Sequence, residues 1–343
     1  MIPAPFLLYL GHSTDPLAIK TSRGVAMFRR EDCVGEFRYD DCPLTLDLPR
    51  MTMAEGAAAG ARTLVLGIAG AGGKLGADLV ADAAAALEAG LNVASGLHQR
   101  LRDEARLAAL AAERKLQLFD VRDPPSGLTV GKGYERPGNR LLTVGTDCSV
   151  GKMVTTLALT RALRERGVAA DFRATGQTGV LIAGEGVAVD AVIADFISGA
   201  IEQLTPARSD EGWDLIEGQG SLFHPSFAGV SLGLLHGAQP RALVLCDEPG
   251  RPHMRGIPGR ALPGLAECLE ANLAAARLTS PDVQAVGICL NTSGMDPDAG
   301  RRLCASTADA LGLPCSDPVA FGVDPIIDHL CPSFSKRSTT ASR

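Results

Sequence analysis

The sequence predicts an α/β protein with two parallel-sheet domains. Three observations carry that prediction. Short apolar runs alternate with helical stretches between Thr63 and Phe119. A second alternation of the same kind begins at Arg140. Between them, residues 122–140 (RDPPSGLTVGKGYERPGNR) are crowded with Pro, Gly and charge. Strands and helices alternating at this spacing imply crossover connections and hence parallel pairing. A length of 343 residues suits two domains that each bury a core. The expected division is a first domain over 1–130, a second over 138–332, and a disordered, Ser/Thr-rich basic tail over 333–343.

Taken in order, MIPAPFLLYL is apolar but lacks a basic leader, and Gly11-His12-Ser13 end the run. It reads as a first strand, not a signal peptide. Residues 1–60 are otherwise irregular, with a hairpin expected around Lys20 to Phe37. Strands follow at 63–68, 91–94 and 116–119, with helices over 79–89 and 100–114. The glycines from Gly67 to Gly76 resemble a dinucleotide fingerprint, yet Gly70, Gly72 and Gly76 leave one residue too many for G-x-G-x-x-G. No acidic residue closes the second strand, LNVASGLH, so NAD is not expected. In the second domain strands are expected at 141–144, 169–172, 214–216, 242–246 and 285–290. Helices are expected near 152–166, 190–203, 261–277 and 298–311, with Asp190 capping the second.

Composition narrows the function. Aromatic residues make up 4% of the chain and the net charge is −6, which argues against stacking platforms and basic footprints for nucleic acid. No apolar stretch reaches the ~20 residues of a membrane span. The nine cysteines are scattered and none forms a CxxC pair, so neither a disulfide framework nor a zinc site is expected. A reducing cytoplasm and small-molecule substrates fit these features, and the apolar helices suggest a homo-oligomer.

The strongest motif runs from Leu141 through Gly145-Thr146-Asp147-Cys148-Ser149-Val150-Gly151-Lys152-Met153. A buried strand, a glycine-bounded loop, a lysine and a helix form a phosphate cradle. Bare backbone lets amides converge on oxygens, and the helix start and Lys152 add positive charge. The spacing is G-x5-G-K, one residue longer than the standard Walker A motif. Met153 stands where a Ser or Thr would ligate Mg²⁺, and a thioether does not serve a hard cation. The loop thus suits a spectator phosphate such as those of coenzyme A, with no metal required.

Four other strand ends carry polar residues. Trp213 to Ser221 (WDLIEGQGS) ends in Glu217, and His224 follows in the same loop. Glu217 is a candidate general base or metal ligand, and His224 a candidate acid/base. Arg173 to Gly179 (RATGQTG) offers Arg173, Gln177 and Thr178 to a small polar substrate, and Asp195 on the next helix is a further base candidate. The loop Glu248 to Gly256 brings Arg251 and Arg255 together, and arginine forks match carboxylates. Asn291, after a later strand, is a polar group for an adenine ring.

The blocks GTDCSVGKMVTT, ATGQTG, DFISGA, IEGQGSLFHP, LLHGAQP and LNTSGMD, with SGLH in the first half, resemble the DgcN family. The resemblance covers nearly the whole chain except the tail. It implies a Rossmann-like N-terminal domain, a P-loop C-terminal domain, and a D-glutamate N-acetyltransferase that takes its acetyl group from acetyl-CoA. It also suggests that Gly145 to Lys152 hold coenzyme A phosphates. On that reading Glu217 or His224 deprotonates the amine, with Asp195 in reserve. The turn from Gly218 through Gln219 to Ser221 offers amides to the oxyanion, and Arg173, Arg251 or Arg255 holds the carboxylates. The second half is also similar to dethiobiotin synthetase, so an ATP- and Mg-dependent kinase or carboxylate–amine ligase is the alternative.

Overall fold

The computed structural model describes residues 2–68 and 75–331. Most of the Gly67–Gly76 cluster and the whole expected tail lie outside the described residues. The described chain forms two compact units, and their division is not a single cut. The first unit comprises residues up to Pro124 plus Gly176–Ala191; the second comprises Pro125–Thr175 plus Val192 onward. Residues 176–191 fall inside the second domain expected over 138–332. The chain instead leaves the second unit after Thr175 and returns to it at Val192.

In the first unit, strands β1 (Phe6–Gly11), β2 (Cys33–Arg38), β3 (Thr63–Leu66), β4 (Asn92–Ser95) and β5 (Leu118–Asp120) form one sheet in the order β2-β1-β3-β4-β5. Every pairing in it is parallel. Helices α1 (Lys20–Phe28), α2 (Met53–Ala58), α3 (Ala77–Glu88) and α4 (Ala105–Arg114) lie between the strands in sequence. β3 reads Thr-Leu-Val-Leu, buried throughout, as a strand covered on both faces should be. Leu7, Leu64, Leu66, Leu87, Val93 and Leu107 share one core, and each such burial contributes about 1.5–3 kcal/mol of gross hydrophobic stabilisation.

The hairpin expected around Lys20 to Phe37 is wrong. Thr21, Ser22, Val25 and Ala26 are buried at helical spacing and make α1. β2 then returns parallel to β1, which a hairpin cannot do. A helix the reading passed over, α2, had a local signal. Thr52 accepts the Glu55 amide at 3.2 Å, and the Glu55 carboxylate accepts the Thr52 amide at 2.8 Å, a capping box.

In the second unit the sheet comprises β6 (Asn139–Gly145), β7 (Ala170–Arg173), β8 (Trp213–Ile216), β9 (Ala242–Asp247), β10 (Gln284–Leu290) and β11 (Cys315–Ser316). Their order is β11-β10-β9-β6-β8-β7, again all parallel. The helices in chain order are α5 (Lys152–Glu165), α6 (Gln177–Ala183, which groups with the first unit), α7 (Ile197–Leu204), α8 (Ala228–Ala238), α9 (Leu265–Arg277), α10 (Pro297–Leu311) and α11 (Asp324–Leu330). Leu141, Leu159, Leu215, Val244 and Ile326 anchor the core. After β6 the chain builds β7 and β8 on one side of it, then crosses to build β9, β10 and β11 on the other. Such a reversal opens a crevice at the carboxyl ends of the strands, here β6 flanked by β8 and β9.

The single helix expected over 190–203 is instead two one-turn 3₁₀ segments, Val189–Ala191 and Ala194–Phe196, followed by α7. Asp190 does not cap a helix. It pairs with Arg122 within the first unit. α6, α8 and α11 were not anticipated. Helix α8 (AGVSLGLLHGA) has little polar periodicity for a sequence reading to detect. Among the described residues, no helix is long and apolar enough to cross a membrane.

Candidate active site

β6 delivers Gly145 to the crevice, and the loop after it is shaped by two residues in the left-handed region, Ser149 (φ +57°) and Gly151 (φ +100°). A side chain at Gly145 would meet Val150 Cγ2 at 2.8 Å, so glycine is required where the loop folds back on its own strand. The loop's carbonyls are already engaged. Lys152 Nζ donates to the Asp147 carbonyl at 2.8 Å, and the Arg251 guanidinium donates to those of Cys148 at 2.6 Å and Ser149 at 3.0 Å. By contrast, the amides of Ser149, Val150 and Gly151 find no acceptor among the described residues. They precede the start of α5, whose first amides also lack intrahelical partners. Carbonyls turned away and amides left open make an anion nest.

The electrostatics agree. Lys152 is 6% exposed. Burial pushes its pKa down, and the nearby Asp147 carboxylate is among the groups that partly offset this. Burial also pushes the Asp147 carboxyl up, but the Arg255 amide, the Arg251 guanidinium and the Cys148 amide outweigh it, so its pKa falls below the ordinary value. Asp147 Oδ2 accepts Arg251 Nη1 at 2.7 Å and the Arg255 amide at 2.7 Å, while its Oδ1 is buried without a hydrogen-bond partner.

The two threonines nearest a metal-ligating position are committed elsewhere. The Thr156 hydroxyl donates to the Lys152 carbonyl at 2.8 Å, and Thr155 accepts the Cys246 thiol at 3.5 Å.

The β8 turn packs against this loop. Gly218 has no room for a side chain: a Cβ there would lie 1.7 Å from the Thr143 carbonyl and 2.9 Å from Lys152 Cδ. Its amide donates to Thr143 Oγ1 at 3.0 Å, so this member of the expected oxyanion turn is already taken. Ser221 Oγ donates to the Thr146 carbonyl at 3.0 Å. Gln219 gives its carbonyl to Ser231 at 2.7 Å. Glu217 is buried, and its carboxylate accepts the Thr175 amide at 3.0 Å, tying β8 to β7. His224 is 2% exposed, donates from Nε2 to the Arg255 carbonyl at 3.0 Å, and stacks on Phe227.

A group that sequence spacing had no means to find now emerges. Ligand-type atoms of Asp147, Cys148 and His224 lie within 4.8 Å of one another. No two cysteines are paired along the chain, yet folding brings a carboxylate, a thiol and an imidazole together from two loops.

Other expected residues are spent on structure. Arg173 donates to the fully buried Asp214, with Nε at 2.9 Å. Arg251 locks the loop and pairs with Glu248. Gln177 and Thr178 start α6 in the first unit. The Gln177 amide donates to the Gly96 carbonyl, and Thr178 Oγ1 meets Thr21 Oγ1 at 3.0 Å. Asp195 is exposed on its 3₁₀ turn. Asn291 closes a turn onto the Ser293 amide at 3.3 Å. Arg255 differs from the other two arginines: among the described residues its guanidinium makes no hydrogen bond or ion pair, leaving it open to a carboxylate. Sequence reasoning missed Asp247, which accepts the Thr146 hydroxyl; burial raises its pKa. Its signal was the same as for Glu217, an apolar strand ending in an acid.

Comparison with known proteins bears on this arrangement. Residues 35–124 match a family model described as a domain of unknown function (DUF1611_N), Rossmann-like domain, and residues 128–327 match its DUF1611_C P-loop domain counterpart. A Pseudoalteromonas protein named D-glutamate N-acetyltransferase is 49% identical over 96% of this chain and 99% of its own length. A protein of the same name from Tritonibacter scottomollicae is 46% identical with the same coverage. The crystal structure of a DUF1611 family protein from Anabaena variabilis superposes with a TM-score of 0.88 at 34% identity, covering 96% of this chain and 100% of that one. With a Rossmann-like N-terminal domain followed by a P-loop domain, the chain belongs to the DUF1611 family.

Proposed function

We infer that the chain transfers the acetyl group of acetyl-CoA to the amine of D-glutamate, giving N-acetyl-D-glutamate and coenzyme A. The observation that carries this is the near full-length identity to two relatives bearing that activity in their name. The site supports it in kind. Open amides and Lys152 offer an anion site, either for a coenzyme A phosphate or for the oxyanion of acyl transfer. Arg255 offers a fork to a substrate carboxylate. His224 takes the proton that the attacking nitrogen sheds, and Glu217, tied to the Thr175 amide, positions the turn that carries it. An ATP- and Mg-dependent ligase has less support, because Met153 lacks a hard ligand atom and Thr155 and Thr156 face inward. The reading places the enzyme in the cytoplasm, with its cosubstrate.

The test is thiol release from acetyl-CoA with D-glutamate, L-glutamate or neither, each with and without EDTA. We expect D-glutamate-dependent release and an acetylated product by mass, unchanged by EDTA. No D-glutamate-dependent release would overturn the reading.

A further inference from the structure

We propose that Cys148 is the acyl-accepting nucleophile, carrying the acetyl group as a thioester before D-glutamate receives it. This rests on the acetyl-transfer reading above and changes what the loop is for. The pantetheine arm of coenzyme A separates its thioester from its phosphates, so a loop whose thiol meets the thioester does not hold the phosphates of the same molecule. The open amides of Ser149, Val150 and Gly151, with Lys152, then serve the tetrahedral oxyanion.

Four observations point this way. A nucleophile and a base sit together beside a carboxylate: Cys148, His224 and Asp147 bring one ligand-type atom each within 4.8 Å of the others. His224 is held in a usable tautomer, because Nε2 faces the Arg255 carbonyl, which only accepts. The ring proton therefore sits on Nε2, and Nδ1 accepts the Ser226 amide at 3.3 Å, a hydrogen bond it gives up to take the Cys148 proton. Cys148 is partly exposed and lies four residues before the first residue of the α5 helix, so its sulfur is open to a substrate. Cys246, Cys268 and Cys289, by contrast, are buried, and burial drives their thiols up. Finally, the Arg251 and Lys152 cations already sit against the loop around Asp147 and Cys148, a setting that favours an anionic thiolate over a bound cation.

The chemistry balances in two halves. Cys148 passes its proton to His224, and Sγ attacks the acetyl carbonyl. The new carbon–sulfur bond forms, the bond to the coenzyme A sulfur breaks, and the departing thiolate takes the proton from the His224 imidazolium. D-Glutamate then enters as the amine after releasing one proton to solvent. Its nitrogen attacks the acetyl-cysteine and the bond to Cys148 breaks. The second nitrogen proton travels through His224 to the cysteine thiolate. Because the first half exchanges one thioester for another, the acetyl-enzyme is close in free energy to its precursor and accumulates when D-glutamate is withheld.

The experiment incubates the wild-type full chain with acetyl-CoA alone, followed by intact-mass and peptide mapping, then a chase with D-glutamate. We expect one acetyl group on Cys148, discharged to N-acetyl-D-glutamate by the chase, and parallel initial-velocity lines. Cys148→Ala should lose roughly a thousandfold in transfer and show no acetyl mark. Lys152→Ala should slow acetylation by a truncated thioester lacking phosphates as much as by acetyl-CoA. Steady transfer by the wild type with intersecting lines and no acetyl mark would overturn the proposal while leaving the transferase reading intact. So would a Lys152→Ala defect confined to acetyl-CoA, or a stoichiometric zinc ion on these three residues whose removal abolishes transfer. Absence of any N-acetyl-D-glutamate from the wild type would strike the transferase reading instead.

Discussion

Two loops of this protein look alike in sequence and end up with different jobs. GTDCSVGK follows β6, and RATGQTG follows β7; each is a polar, glycine-bounded stretch after a parallel strand. The first turns through left-handed backbone at Ser149 and Gly151, spends its carbonyls on Lys152 and Arg251, and leaves amides open. The second goes straight into a helix. Gly176 is an ordinary extended N-cap, and Gln177 and Thr178 are consumed by Gly96 and Thr21 of the first unit. Glycine spacing therefore does not make an anion site. What makes one is backbone that frees its donors while a buried cation and an arginine occupy its acceptors.

Three substitutions sharpen or break that contrast. The largest effect belongs to Lys152→Ala, which removes the charge at the open amides. We expect kcat/KM for acetyl transfer to fall by about a hundredfold or more, as for loss of a charged stabiliser at a reacting centre. A loss of less than about threefold would return the first loop to the status of the second.

Next is Asp147→Asn, which breaks the Arg251 pair that shapes the first loop. It should cost about 1.5–3 kcal/mol at neutral pH, the range for a charged hydrogen bond. Asp147 has a folded pKa below its unfolded value. Its contribution is complete above an ordinary aspartate pKa of about 4 and disappears as pH falls through the folded value. Urea unfolding of both proteins at neutral and strongly acidic pH should show their difference shrinking in acid; a constant gap contradicts the assignment.

The smallest effect is expected for Thr21→Val. It removes the partner of Thr178 in the first unit and should cost about 0.5–1.5 kcal/mol with transfer kinetics unaltered. A thermal melt alongside the transfer assay checks it. A loss of transfer without loss of stability would mean that the second loop serves the reaction after all.

Much of the fold was legible. β3, β9 and β10 are largely apolar runs, and the G-x5-G-K loop announced both a helix start and a cation. The errors share a cause. The segment expected as a hairpin around Lys20 to Phe37 holds a helix whose buried face is partly polar, Thr21 and Ser22 beside Val25 and Ala26, and the helix expected over 190–203 is broken into two 3₁₀ turns before α7, so tertiary partners decided both. The arginines show the same limit. Arg173, Arg251 and Arg255 are equivalent as charges in a sequence, yet Asp214 claims the first, the loop carbonyls and Glu248 claim the second, and the third is left open.

By itself, the sequence determined the two parallel α/β layers, the strand that leads into the loop and the lack of a hard metal ligand at Met153, because these depend on local hydrophobic period and residue chemistry. Only tertiary structure decided that residues 176–191 serve the first unit, which amides stay unpaired, and that His224 comes within reach of Cys148 and Asp147. Those outcomes depend on which distant groups reach a donor or acceptor first. That competition is settled by the packing of β6 between β8 and β9, and no window along the chain contains it.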